Sequence, residues 1–158
     1  MGNLDCFRIG LINPFSEYLS FSSILIDQVN IIGGNSISPW RTLLSTEFLN
    51  WRYKNPMYQV AYFPAKESYI IYRKSIISKI PVLIIYELIG NPIPQGFILN
   101  SLAKKYKTPF VYYYGDHVKN GKFLISFKKN NPVVIIKDDK HFIVDKLSFS
   151  LGDLEGKI

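Results

Sequence analysis

Cysteine is almost missing from this chain: Cys6 is the only one in 158 residues. That excludes an intrachain disulfide and a cysteine-built zinc cluster, and it accords with a reducing compartment. Histidine is nearly as scarce, with His117 and His141 alone, so no closed set of zinc ligands can be assembled. Asp138-Asp139 beside His141 reads as a turn, and Asp153 with Glu155 has only the spacing of one part of a calcium loop. No apolar run approaches the roughly 18 residues that span a bilayer. The N-terminus lacks a basic stretch followed by an apolar core, so no signal peptide is expected. Met1-Gly2 opens as a myristoylation site does, but Cys6 stands where serine or threonine is required. No Gly-x-Ser-x-Gly elbow occurs, which removes the local signature of the serine hydrolases. Internal repeats and low-complexity linkers are absent too. The expectation is one soluble, cytoplasmic domain over residues 1–158, with residues 1–35 its poorly defined part.

What the chain does contain is apolar and aromatic. Hydrophobic residues make up 47% and aromatics 15%, which excludes a disordered chain. Eleven tyrosines and eleven phenylalanines favour strands, whose pleated surface accommodates flat and branched side chains. The net charge of +7 is unevenly spread. Residues 1–50 hold two basic and four acidic groups, whereas residues 51–158 hold seventeen and eight. A basic C-terminal portion suits an anionic partner, but lysine outnumbers arginine fifteen to four. Arginine is the residue expected where planar phosphate recognition matters, so a solvated lysine surface is the simpler reading.

Periodicity supplies the elements. Phe7 to Ile12 reads as a first strand closed by Asn13-Pro14, and Ser20–Asn30 fits helix and strand equally. Ser38-Pro39 has the form of a helix start. Ser45 is a second N-cap, with Glu47 in the first turn, where a negative charge suits the dipole. Leu44, Phe48 and Trp51 fall on one stripe, expected to be buried, and Asn55-Pro56 stops the helix. Strands are expected at Tyr58–Phe63, Ser68–Lys74 and Val82–Ile89. The last is apolar on both faces apart from Glu87, the mark of a covered central strand. A helix over about residues 95–106 follows. Ile98, Leu99, Leu102, Ala103 and Tyr106 form its apolar face. Pro109–Tyr114 is the next strand, then a short helix or turn from Asp116 to Asn120. Further strands are read at Phe123–Phe127, Val133–Lys137, Phe142–Val144 and Leu147–Leu151. The class is α+β.

Three short segments carry a family likeness. Phe48-Leu49-Asn50-Trp51-Arg52-Tyr53 with Pro56 and Tyr58 resembles a segment of acetyltransferases of the GNAT superfamily. Gly121-Lys122-Phe123 stands where members often carry Gly-Phe after the fourth helix, and Leu147 to Asp153 resembles the last strand of one subgroup. The resemblance implies a GNAT-like mixed, mostly antiparallel central sheet with helices packed on both faces. It also implies transfer of an acetyl or acyl group from coenzyme A to an amine, with acetyl-coenzyme A as cofactor. Subgroup members often occur as paired lobes, one of them degenerate, and this short chain resembles the degenerate kind.

The family's pyrophosphate loop has the form Arg/Gln-x-x-Gly-x-Gly/Ala, in which backbone N–H groups meet an anion at a helix N-terminus. Here Gly90-Asn91-Pro92-Ile93-Pro94-Gln95-Gly96 takes its place, out of register and with two N–H donors removed by proline. By the resemblance, Leu88, Gly90, Gln95 and Gly96 are the cofactor contacts. The catalytic candidates are Glu87, Tyr114 and His117. A carboxylate in an apolar strand is desolvated in a way that suits a base, though a strand-end glutamate reaching solvent or a lysine is the plainer alternative. By the same resemblance Tyr114 lies near where members place a general-acid tyrosine, and His117 follows a turn, where a lone histidine is as readily a surface or capping residue. The alternative function is a non-catalytic binding or structural module of the same fold with a protein partner. Nucleic-acid binding through Lys104, Lys105, Lys107, Lys119, Lys122, Lys128 and Lys129 has no recognised motif behind it.

Overall fold

The strand-rich stretch after Tyr58 forms the middle of a mixed sheet with seven strands among the described residues. The structure, a computed structural model, describes residues 7–31, 44–90, 95–114 and 123–128. In chain order the elements are β1 (Phe7–Leu11), β2 (Ser22–Ile24), α1 (Thr46–Arg52), β3 (Gln59–Phe63), β4 (Ser68–Ile77), β5 (Ile80–Gly90), α2 (Gln95–Lys105), β6 (Phe110–Tyr114) and β7 (Ile125–Lys128). Single 3-10 turns stand at Ile26–Gln28 and Pro64–Lys66. The sheet order is β2-β3-β4-β5-β6-β1-β7. Only β5 and β6 run parallel; the other described pairs are antiparallel. A parallel pair needs a crossover, and α2 occupies it. The helix start at Ser38-Pro39, the turn at Asp116–Asn120 and the strands read at Val133–Lys137, Phe142–Val144 and Leu147–Leu151 lie outside the described residues.

Residues 7–31 add to the sheet at two places. β1 enters between β6 and β7, pairing Ile9 with Tyr112 on one side and with Phe127 on the other. Gly10 is needed there, because a Cβ on it would lie 2.8 Å from the ring of Phe123, which stacks on Tyr113. β2 adds to the far edge against β3. The ambiguous Ser20–Asn30 stretch therefore holds a short strand and a 3-10 turn.

Alternation along the strands divides the core into two clusters. Val60, Tyr69, Ile71, Val82 and Ile84 belong to one, which α1 joins through Leu49 and Tyr53. Ala61, Ile70, Tyr72, Leu83 and Ile85 belong to the other, which α2 joins through Ile98, Leu99, Leu102 and Ala103. Each buried aliphatic side chain of this size contributes about 1.5–3 kcal/mol. The long apolar run read as a central strand is β5, fourth of seven in the sheet.

α1 starts as its sequence dictates, with the Phe48 N–H donating to Ser45 Oγ at 3.1 Å. Its buried face differs from the expected stripe. Leu49 and Tyr53, one turn apart, enter the core, and Trp51 between them is 71% exposed. Trp51 points away because two positions along a helix lie on opposite sides; its ring keeps only a tilted contact with Phe48, at 5.9 Å. The stripe reading for Trp51 is thereby corrected.

Candidate functional site

The parallel ladder between β5 and β6 is short. Val82, Leu83 and Ile84 pair with Phe110, Val111 and Tyr112, and the ladder stops there. Both strands continue, β5 to Gly90 and β6 to Tyr114, without a further registered pair between them. The stretch beyond the ladder, called the wedge below, lies at the carboxyl ends of two parallel strands, the position where open α/β sheets receive ligands. The other side of β5 stays closed, since its ladder with β4 runs through to Gly90 opposite Ser68.

A bulge within that β4–β5 ladder sets the chemistry. Ile71 faces Glu87 while Tyr72 faces Ile85, so Tyr86 is the extra residue. Without it, Glu87 would share the α2 side with Leu83 and Ile85. The bulge resets the alternation, so that Tyr86 and Ile89 both join the α1-side cluster, and Glu87 reaches Tyr53. The Tyr53 hydroxyl donates to Glu87 Oε1 at 2.6 Å, the short distance of a charge-assisted bond. Glu87 is 2% exposed, so its carboxylate does not reach solvent as one form of the strand-end reading has it. Around it, Tyr53, Tyr58 and Tyr86 meet edge to face with centroids 5.1 to 6.2 Å apart. Arg73 lies 5.8 Å from the Tyr86 ring centre.

The other candidates fall on the same wedge or beside it. Leu88 packs against the α2-side cluster. Gly90 ends β5 with φ of +115°, and a Cβ there would lie 2.3 Å from the carbonyl oxygen of Glu67. Its glycine is therefore required by the β4–β5 closure itself. Gln95 and Gly96 form the start of the eleven-residue helix α2, and Tyr114 is the last residue of β6. His117 lies outside the described residues. Glu87, Leu88 and Gly90 lie on β5 and Tyr114 on β6, all beyond the last registered pair of the two strands. Sequence reasoning missed Tyr53 as a partner of Glu87. The general rule that a buried carboxylate needs a donor calls for some partner, but nothing local names one across 34 positions.

Two tyrosines of the sheet, Tyr72 on β4 and Tyr112 on β6, are harder to ionise than usual. Burial first, and then the 2.7 Å bond to the Tyr106 hydroxyl, push Tyr72 far above the usual tyrosine range. Burial alone pushes Tyr112 upward. α2 is tied to the segment ahead of β2 by buried polar groups: the Asn13 N–H donates to Asn100 Oδ1, and the Leu19 N–H to Ser101 Oγ, both at 2.8 Å. The lysines of α2 also serve the chain itself. Lys104 donates to the Ser16 carbonyl, and Lys105 Nζ sits 4.3 Å from the Phe21 ring centre. Among the described residues no three His, Cys, Asp or Glu side chains gather as metal ligands, and no helix is long and apolar enough to cross a membrane.

No protein-family model matches the chain, and no curated protein matches it. A solved structure does: the GCN5-related N-acetyltransferase from Anabaena variabilis, with a TM-score of 0.59 and 8% identity. The match covers 82% of this chain and 38% of that protein. The fold is GNAT-like, a mixed α+β sheet with its helices, and the likeness extends to the fold alone.

Proposed function

We propose that this chain is a GNAT-like acyltransferase domain that receives an acyl-coenzyme A in the wedge between β5 and β6 and passes the acyl group to a small-molecule amine. The observation that carries the reading is the ladder that ends at Ile84 and Tyr112 while both strands run on. Helices on both faces of the sheet belong to the same reading; Leu49 in one cluster and Leu99 in the other support it.

The residues present suit such a cofactor. Beyond Ile84 the β6-facing edge of β5 is the proposed place for amides like those of a pantetheine arm to pair as a strand does. α2 follows β5 directly, so N–H groups at its start, around Gln95 and Gly96, are the donors for a pyrophosphate. Pro92 and Pro94 leave fewer donors than the usual loop, so we propose a weakened grip on the phosphates. When bound, the thioester supplies an activated acyl group. Glu87 is the proposed base, taking a proton from the acceptor amine, with Tyr53 fixing its carboxylate. Tyr114 is the proposed proton donor on the opposite arm, with His117 further along the chain as its alternative.

Calorimetric titration with acetyl-coenzyme A tests the reading. A saturable heat is expected; no heat at millimolar ligand overturns it. Glu87→Gln is expected to keep the binding and to lower turnover by about 10²–10⁴-fold, the usual contribution of a general base. Unchanged turnover removes Glu87 from the role.

A further inference from the structure

We infer that the free end of the β4–β5 hairpin is a docking element for an anionic lipid surface. β3 first pairs with β4 at Tyr72, and β6 first pairs with β5 at Val82. Arg73–Ile77 therefore run past β3, and Ile76–Ile77 with Ile80–Pro81 run past both described neighbours as a two-stranded ribbon. Its apolar side chains are open to solvent: Ile76 is 75% exposed, Ile77 48% and Ile80 42%. Ile76 lies opposite Pro81, and Ile77 opposite Ile80. Consecutive residues of a strand face opposite ways, so isoleucines leave the ribbon on both of its faces. A flat protein partner covers one face of such a ribbon, whereas the interfacial layer of a bilayer encloses both. The turn at Ser78 and Lys79, with φ of 50° and 67°, closes the ribbon in two residues, and its peptide groups remain hydrated at headgroup depth.

Charge selects the kind of surface. From Ser68 through Tyr86 the chain carries Arg73, Lys74 and Lys79 and no acidic residue. The base of the ribbon adds more. Tyr106 at the end of α2 bonds the Tyr72 hydroxyl and lies under Lys74 Nζ at 4.6 Å, which brings the exposed Lys107 to this end of the sheet. On the other side Arg73 contacts the sulfur of Met57, in the loop that carries the exposed Lys54. Cations flanking an apolar tip are the pattern that holds a peripheral element on acidic headgroups. This inference does not depend on the proposed acyl transfer.

The test is co-sedimentation of the full chain with vesicles of phosphatidylcholine alone and of phosphatidylcholine mixed with phosphatidylserine. Binding to the acidic vesicles only, released by salt, is expected. Lys74→Glu with Lys79→Glu is expected to weaken it by about tenfold or more, since each cation near such a surface counts separately. Ile76→Asn with Ile77→Asn is expected to abolish it. Both pairs are exposed, and circular dichroism checks that each variant keeps the native fold. Equal binding to both vesicle types, no binding to either, or wild-type binding by the folded variants overturns the inference. So does a concentration-dependent dimer in ultracentrifugation that the isoleucine variant dissociates, which would make the ribbon a contact between copies.

Discussion

Tyr53 and Glu87 meet in a place where neither has water to fall back on, which makes their bond the most consequential single contact in the described structure. Replacing Tyr53 by phenylalanine removes the hydroxyl donor from Glu87 Oε1 and is expected to cost about 1.5–3 kcal/mol of stability, read by urea unfolding. Adding Glu87→Gln to the same protein completes a double-mutant cycle; a coupling energy near zero would show that the hydroxyl and the carboxylate act independently. Gly90→Ala puts a methyl group into the Glu67 carbonyl and strains a positive φ. It is expected to destabilise by roughly 1–3 kcal/mol, or to break the end of the hairpin outright. Glu87 was legible in the sequence as the one charge in an apolar strand. Tyr53 was legible only as part of a family segment, because residues 34 apart are joined by the sheet and not by any local pattern.

At the scale of elements, the two helices were readable from their caps and spacing, and the central strand from its unbroken apolar run. β5 and the apolar face of α2 stand where the pattern puts them. Two features escaped. The β-bulge at Tyr86 changes which side Glu87 faces, yet a continuous apolar run has no alternation whose slip could reveal it. The tight turn at Ser78-Lys79 lacks the Asn-Gly or Asp-Gly that announces a two-residue hairpin. On α1, three near-equivalent apolar positions left the buried face open to misreading, and tertiary packing chose Leu49 and Tyr53. Leu49→Ala is accordingly expected to cost about 2–5 kcal/mol, whereas Trp51→Ala stays within about 0.5 kcal/mol; the reverse order would restore the Trp51 stripe. The N-cap bond of Ser45 is expected to be worth about 1 kcal/mol on substitution by alanine.

The described residues are built on one sheet whose strands come from distant parts of the chain, and tyrosines held in it give a response to pH. Tyr72 and Tyr112 are harder to ionise folded than unfolded. Their contribution is therefore fully present below the ordinary tyrosine value of about 10 and is lost as the pH rises above it. Stability measured against pH is expected to fall on the alkaline side, and Tyr72→Phe is expected to flatten that fall; an unchanged alkaline limb would argue against it. The same sheet frames the functional question, because its only described parallel pair is the one that parts. The most direct measurement is a ¹H–¹⁵N correlation spectrum followed through a titration with acetyl-coenzyme A. The wedge reading requires shifts concentrated at Leu88, Ile89, Gly90, Gln95, Gly96, Tyr113 and Tyr114. An unaltered spectrum at millimolar ligand, or shifts confined to residues away from β5, α2 and β6, would contradict it.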